Sequence, residues 1–391
     1  MKVAFYSNFL NHHQLPFCVT MERLTEGQFT FVATTHVPKE RRQMGYHDMN
    51  KQHPFVLTTY DSRENRQKAM DLAKDCDLVI IGSAPMHYLQ ERMKYKKICF
   101  IYSERLYKQG YEAWKWPVRL FRQYWTYGRY KKLYLLSASA FTAADFAKTG
   151  TFINKAYKWG YFPEIKKQNL TELFARKAAN KRTSILWAGR FLAWKHPETV
   201  LELAERLIAS GYDFDLNMIG AGNMEIQMQA MIIQKGLSEC VHLLGSMSPE
   251  QVRDHMEAAD IYLFTSDRNE GWGAVLNESM NSGCAVVASH AIGSVPFLLN
   301  DGENGLVYRS GDTDDLYEKV KCLMDHPEER CRLGKNACLT MENAWNAEVA
   351  AQRLILLAQD LMENRQSTRF ADGPCGPAKK IKDTWYERKT R

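Results

Sequence analysis

Short apolar segments recur along this chain, each followed by a longer stretch with the three-to-four-residue apolar spacing of a helix, and this alternation leaves few folds open. Strands separated by helices cannot close as tight hairpins. They pair in parallel, with helices covering both faces of the sheet. The apolar segments lie at residues 2–6, 30–34, 77–81, 98–102 and 155–160 in the first half, and at 184–188, 214–219, 241–244, 261–265, 285–288 and 305–308 in the second. With 391 residues the chain is long for a single hydrophobic core. The expectation is therefore an α/β protein of two doubly wound units, residues 1–165 and 184–345, joined by a polar linker at 166–183. A last helix is expected at 346–364, and 365–391 reads as a loose basic tail broken by Gly373-Pro374-Cys375-Gly376-Pro377.

Composition narrows the class further. No apolar run approaches the ~20 residues that span a bilayer. The start, Met1-Lys2-Val3-Ala4-Phe5-Tyr6-Ser7-Asn8, is too short an apolar stretch for a secretory signal and reads as a first buried strand. Nine cysteines form no C-x-x-C spacing, which argues against a disulfide framework or a zinc site and suits reduced thiols in a cytoplasm.

Two strand-to-helix loops in the second half carry the chemistry. In the first, Asp267-Arg268-Asn269-Glu270-Gly271-Trp272-Gly273-Ala274-Val275-Leu276-Asn277-Glu278, two carboxylates flank a Gly-Trp-Gly turn before a helix expected to begin near Gly273. Five helical residues span roughly 7.5 Å, about the separation of the hexose and ribose of a nucleotide sugar, with the intervening backbone N–H groups facing its diphosphate. A helix-dipole residue and a solvated helix-face carboxylate would leave the same pattern. What favours a site is the second loop, Ala188-Gly189-Arg190-Phe191-Leu192-Ala193-Trp194-Lys195-His196-Pro197. There Arg190 offers a planar fork and Lys195 a mobile point charge for a leaving diphosphate. Gly220, in Gly220-Ala221-Gly222 after a strand, reads as a loop lining the same donor site. Asp213-Phe214-Asp215 reads as a solvated turn rather than a metal motif, and Asp312 as a helix N-cap, so no metal or other cofactor is expected.

These motifs resemble those of the family-4 glycosyltransferases, whose donor domain carries a Gly-Arg-x4-Lys loop and a Glu-x7-Glu motif. The resemblance covers roughly residues 181–345 and includes, in order, Ile219-Gly220-Ala221-Gly222-Asn223, Val241-His242-Leu243-Leu244-Gly245, Ser248-Pro249-Glu250, Gly283-Cys284-Ala285-Val286 and Gly302-Glu303-Asn304-Gly305-Leu306. It implies a GT-B fold, two Rossmann-like domains facing across a cleft, with the last helix returning to the first domain. It also implies retaining transfer of a hexosyl group from a nucleotide-diphosphate sugar, a UDP-sugar being favoured, to a glycan or lipid-linked hydroxyl in surface polysaccharide assembly. On this reading Glu270, Arg190 and Lys195 are catalytic. Glu278, Gly271, Trp272, Gly273, Ala274, Val275, His242, Gly245, Ser246 and Gly220 bind the donor. A non-catalytic sugar-nucleotide-binding protein and a nucleotide-sugar epimerase of the same fold stay open as alternatives.

The first half carries a different signal. Residues 93–134 hold eleven Lys or Arg against Glu104 and Glu112, a local balance of +9, interleaved with thirteen aromatics. A helix beginning near Pro117 in such a segment suggests a surface that attracts anionic lipid, hence a peripheral contact at the inner face of a membrane. No nucleic-acid motif accompanies it, and no nucleic-acid partner is expected. The opening loop, Tyr6-Ser7-Asn8-Phe9-Leu10-Asn11-His12-His13-Gln14, looks like that of bacterial enzymes that build surface polysaccharides but lacks the Gly-Gly pair common in the family. His12, His13 and Glu104 are the acceptor-side candidates.

Overall fold

The computed structural model describes residues 1–38, 48–108, 110, 114, 116–365 and 369–386. The chain forms two compact units, Met1–Glu164 with Asn346–Lys382, and Ile165–Trp345 with Asp383–Arg391.

The first unit is built on seven parallel strands, β1 (Val3–Ser7), β2 (Phe29–Ala33), β3 (Val56–Thr58), β4 (Leu78–Ile81), β5 (Cys99–Ser103), β6 (Leu133–Ser137) and β7 (Ala156–Lys158), in the order β3-β2-β1-β4-β5-β6-β7. Two of these were not expected. β3 has three residues, and β6 lies at the edge of the basic aromatic segment, where Lys131 and Lys132 mask its apolar start. Tyr6, Val79, Ile101, Leu135 and Phe146 belong to one core. Arg92 lies fully buried inside this unit, and its guanidinium donates to the carbonyls of Ala73, Cys76, Asp77 and Ile98, so the charge is solvated by backbone.

The helix Ala347–Met362, capped by Asn346, belongs to this unit and packs on the helix Leu15–Leu24. The tail departs from expectation. Residues 375–378 run along the outer edge of β7, Cys375 N–H donating to Lys158 O, Lys158 N–H to Gly376 O and Ala378 N–H to Ala156 O at 2.7–2.9 Å. An edge strand leaves a row of unpaired backbone groups, and this segment satisfies them. Cys375 is buried as a result. The Gly-Pro pairs that suggested a loose tail shape a strap.

The second unit contains β8 (Thr183–Ala188), β9 (Phe214–Ile219), β10 (Val241–Leu243), β11 (Ile261–Phe264), β12 (Ala285–Ser289) and β13 (Leu306–Tyr308), all parallel, in the order β10-β9-β8-β11-β12-β13. All six lie where the apolar runs put them, and Trp187, Phe191, Leu201, Leu216, Ile261 and Val287 share its core. The expected linker at 166–183 is part of this unit. It forms the helix Leu170–Ala178, capped by Asn169, with Leu173 fully buried and Lys177 donating to the carbonyls of Met256 and Ala259. The segment looked solvated because its apolar content is low, but its polar side chains are consumed by backbone carbonyls. Trp385 and Tyr386 also pack here, donating to His290 O and Val307 O.

Both sheets reverse their winding once, between β1 and β4 and between β8 and β11. Ligands of open α/β sheets bind beyond the carboxyl ends of the strands at such a point. The loop after β8 holds Arg190 and Lys195, and the loop after β11 holds Glu270.

Candidate functional site

At the β8/β11 switch point the two loops are tied together at three levels. Backbone comes first: Asp267 N–H donates to Trp194 O at 3.0 Å, and Thr265 Oγ1 donates to Lys195 O at 2.6 Å while accepting from Trp187 Nε1 at 2.9 Å. His196 follows. Its backbone is left-handed, φ 51°, and its ring nitrogens meet Glu198 at 2.9 Å and Asp267 at 3.4 Å. The hydrogen bond to Glu198 leads in holding the imidazole pKa above its ordinary value, with Asp267 assisting. Last, Lys195 Nζ pairs with Glu270 Oε2, both side chains nearly buried, with Ser266 Oγ donating to the same oxygen at 3.1 Å. The ammonium also lies 4.6 Å from the Trp194 ring centroid.

Lys195 is therefore not the mobile charge expected from sequence but a fixed one, and Glu270 is its partner. Arg190 is exposed and makes no ion pair among the described residues. The site thus presents one cation held in place and one able to swing. Spacing indicated Arg190, Lys195 and Glu270. Ser266, His196 and Asp267 gave no such signal, because each acts through a loop conformation that spacing does not specify.

The helix after this turn is Val275–Asn281, starting two residues later than expected, so Glu278 stands in its first turn. With seven residues it supplies little macrodipole, which leaves the side-chain cations as the main positive charge. Gly273 has φ +79°, and a Cβ there would fall 2.3 Å from Phe264 Cζ. Gly271 and Ala274 are buried, and Val275 is half-buried. Trp272 is fully buried, its indole N–H donating to Asn277 Oδ1 at 2.9 Å and its ring beside Phe297 and Trp345, so its side chain anchors the turn and only its backbone is left for a ligand. Glu278 is half-buried. Burial pushes its carboxyl up to about 7 against the opposing pull of Arg253.

The remaining donor-side residues divide. Gly220 N–H donates to Gly245 O at 2.8 Å, and a Cβ on Gly220 would sit 1.9 Å from Gly189 O, so this glycine serves the contact of neighbouring loops. Ser246 is exposed. His242, on the edge strand β10, turns its ring toward Asp215 near the start of β9, Nε2 to Oδ1 4.0 Å, away from the strand ends. Asp213 and Asp215 pair with Arg182, and Asp312 caps its helix by accepting from Asp315 N–H.

In the first unit His12 and His13 lie with ring centroids 3.7 Å apart in the loop after β1. The His13 ring stacks on Tyr161 at 5.8 Å, Tyr161 Oη donates to Glu104, and Glu104 pairs with Lys108. Structure thus joins the three acceptor-side candidates through Tyr161, a residue the sequence did not single out because nothing but its place after β7 marks it. Lys115, Tyr111 and Glu112 of the basic aromatic segment lie outside the described residues.

Two doubly wound parallel sheets, each with one switch point, define a fold of the GT-B type. Residues 170–339 match the family model described as Glycosyl transferases group 1, and the second unit carries a domain of that family. Alpha-D-kanosaminyltransferase of Streptomyces kanamyceticus is 29% identical over 183 residues, 47% of this chain and 47% of its own. Amylovoran biosynthesis glycosyltransferase AmsK of Erwinia amylovora is 26% identical over 191 residues, 48% of this chain and 47% of its own. The chain thus spans about half the length of the curated relatives it matches. Among solved structures, Anabaena Alr3699/HepE in complex with UDP superposes with a TM-score of 0.69 at 15% identity, covering 92% of this chain and 100% of that one.

Proposed function

We propose that this chain is a retaining glycosyltransferase that moves a hexosyl group from a nucleotide-diphosphate sugar, a UDP-sugar in the first instance, to a hydroxyl of a glycan or lipid-linked acceptor in surface polysaccharide assembly. The observation that carries the reading is the buried Lys195–Glu270 pair at the β8/β11 switch point, with exposed Arg190 on the same loop as Lys195. Departure of a nucleoside diphosphate places negative charge on its phosphate oxygens. Lys195 and Arg190 offset that charge, and a fixed cation does so without reorganising during the reaction. Glu270, relieved of Lys195 by the diphosphate, orients the hexose through its hydroxyls and stabilises positive character at the anomeric carbon. Glu278 accepts from the ribose hydroxyls. With two cations on the diphosphate the reading needs neither metal nor strong base. The first unit's His12, His13, Tyr161 and Glu104 are the acceptor-side groups. HepE was solved with UDP and with UDP-glucose, and AmsK is described by amylovoran biosynthesis, which favours the donor and the pathway type chosen here.

A thermal-shift screen of nucleotide-diphosphate sugars tests the donor. At a hundredfold excess over Kd a true donor stabilises the chain by about 2.7 kcal/mol. Transfer is then followed by nucleotide release, and Glu270→Gln or Lys195→Ala should remove it while the melting transition persists. The proposal fails if no nucleotide sugar shifts the melt, or if either variant turns over like the wild type.

A further inference from the structure

Separate from the donor site, the first unit carries a surface that neither sheet explains. The helix Trp116–Gln123 continues into a wider turn, Tyr124–Gly128. Trp116 anchors it, its indole N–H donating to Lys148 O at 3.0 Å. The next residues look outward. Val118 is 72% exposed, Phe121 64% and Trp125 49%, and Trp114, four residues before Val118, is 77% exposed. Spacings of three and four place Val118, Phe121 and Trp125 on one face, and the Phe121 and Trp125 rings stand 5.9 Å apart. Burial of such side chains is favourable, so a run of them facing water marks an interaction site.

Charge identifies the partner. From Trp116 to Tyr134 the sequence holds Arg119, Arg122, Arg129, Lys131 and Lys132 and no carboxylate. Arg129 lies over the Trp125 ring, 5.2 Å from its centroid, so cation and aromatic share an edge of the stripe. A short helix with apolar residues along one face, amphipathic tryptophan and tyrosine rings, and only positive charge beside them matches the interface of an anionic bilayer, where rings sit at headgroup depth and cations meet phosphate. Among the described residues no helix is long and apolar enough to cross a membrane, so the contact is with a surface.

We propose that the face formed by Val118, Phe121 and Trp125, with Arg122 and Arg129 beside it, seats the first unit on an anionic lipid bilayer. The test is co-sedimentation of the full chain with vesicles of phosphatidylcholine alone and of phosphatidylcholine mixed with phosphatidylglycerol. Binding is expected to the mixed vesicles only and to weaken as salt rises. Arg122→Gln and Arg129→Gln should each lower affinity about fivefold, and Phe121→Asp with Trp125→Asp by at least about tenfold. Melting temperatures equal to the wild type exclude misfolding, since the altered side chains are exposed. Glu270→Gln should bind vesicles normally, so this proposal and the donor reading fail separately. No binding, equal binding to both vesicle types, or variants that bind like wild type would overturn it. So would a self-association or nucleic-acid binding that the Phe121→Asp/Trp125→Asp variant abolishes while vesicle binding persists.

Discussion

A double-mutant cycle across Lys195 and Glu270 separates what the pair contributes to the fold from what it contributes to transfer. Their side chains are 12% and 11% exposed, so neither charge is well solvated without the other. Breaking a fully buried pair by removing one partner costs ~3–5 kcal/mol. Among the described residues, Lys195→Met leaves the Glu270 carboxylate with the Ser266 hydroxyl, which retains part of its solvation, and the cost should be about 3 kcal/mol. For a unit of this size that lowers the melting temperature by about 6–12 °C. Glu270→Gln leaves an amide oxygen that still accepts from Lys195, whose ammonium keeps the Trp194 ring, so the cost falls to about 1–2 kcal/mol. In the double variant no charge is orphaned, and stability should return to within about 1 kcal/mol of wild type, a coupling of about 3–5 kcal/mol. Turnover should not return. On the proposed mechanism each single change removes a group that meets charge developing in the transition state, an expected loss of about 10²–10³, and the double variant should be no faster than the slower single. Melts and nucleotide-release assays on the four proteins decide it. Additive stability effects would show that the pair is not formed in solution, and a double variant with wild-type turnover would remove both residues from the mechanism.

Protonation of Glu278 should set the acid limb of donor binding. Its carboxyl is pushed up to about 7 by burial, and on the proposed mechanism the ionised form accepts from the ribose hydroxyls more strongly than the acid, so affinity should fall as pH drops below about 7 and become pH-independent, though weaker, in Glu278→Gln; calorimetry across this range measures it. The same raised pKa makes the protonated carboxyl a stabilising element that is fully present below its ordinary, unfolded-chain pKa and is lost as pH rises through about 7, so Glu278→Gln should gain on wild type over that interval. His196, raised by Glu198 and Asp267, contributes stability that is present below its unfolded pKa and fades as pH rises through the folded one. His196→Gly, which keeps the left-handed backbone, should therefore lose more melting temperature at pH ~5.5 than at pH ~8.5. Gly273→Ala meets Phe264 at 2.3 Å on a positive φ and should cost about 1–3 kcal/mol. It should also abolish the donor-induced shift, while Phe264→Leu on that background restores part of the stability.

Much of this molecule is legible because parallel α/β sheets bury whole strands, and whole buried strands leave unbroken apolar runs. All six strands of the second sheet were visible for that reason. β3 is too short to leave a run, and β6 begins directly after Lys131 and Lys132. The linker and tail were misread in the same way. Polarity marks solvent only when polar groups have no internal partner, and Lys177, Asn169 and the backbone of 375–378 all have one. At the site, residue types and spacing gave Arg190, Lys195, Glu270 and Glu278. Spacing said nothing of which partner each side chain takes. It missed the pairing of Lys195 with Glu270, the Asp267–His196 brace and the Tyr161 bridge, all of which join residues distant in sequence or depend on a left-handed turn.

That pairing bears on how charge relief can work in this chain. A lysine waiting in a largely dry site would have to be neutral or paired, since an isolated buried ammonium costs far more than a hydrogen bond returns. Glu270 supplies the pair, and Ser266 donates to the same carboxylate oxygen, so groups of the chain itself compensate the lysine charge. On the proposed mechanism a diphosphate would offer Lys195 a stronger acceptor and would release Glu270 to face the sugar. Donor entry is then an exchange of one charge-assisted partner for another rather than the creation of a new ion pair. The rigid frame permits this exchange because the Asp267 amide, Thr265 and His196 hold the two loops together by contacts that do not involve the Lys195 ammonium or the Glu270 carboxylate.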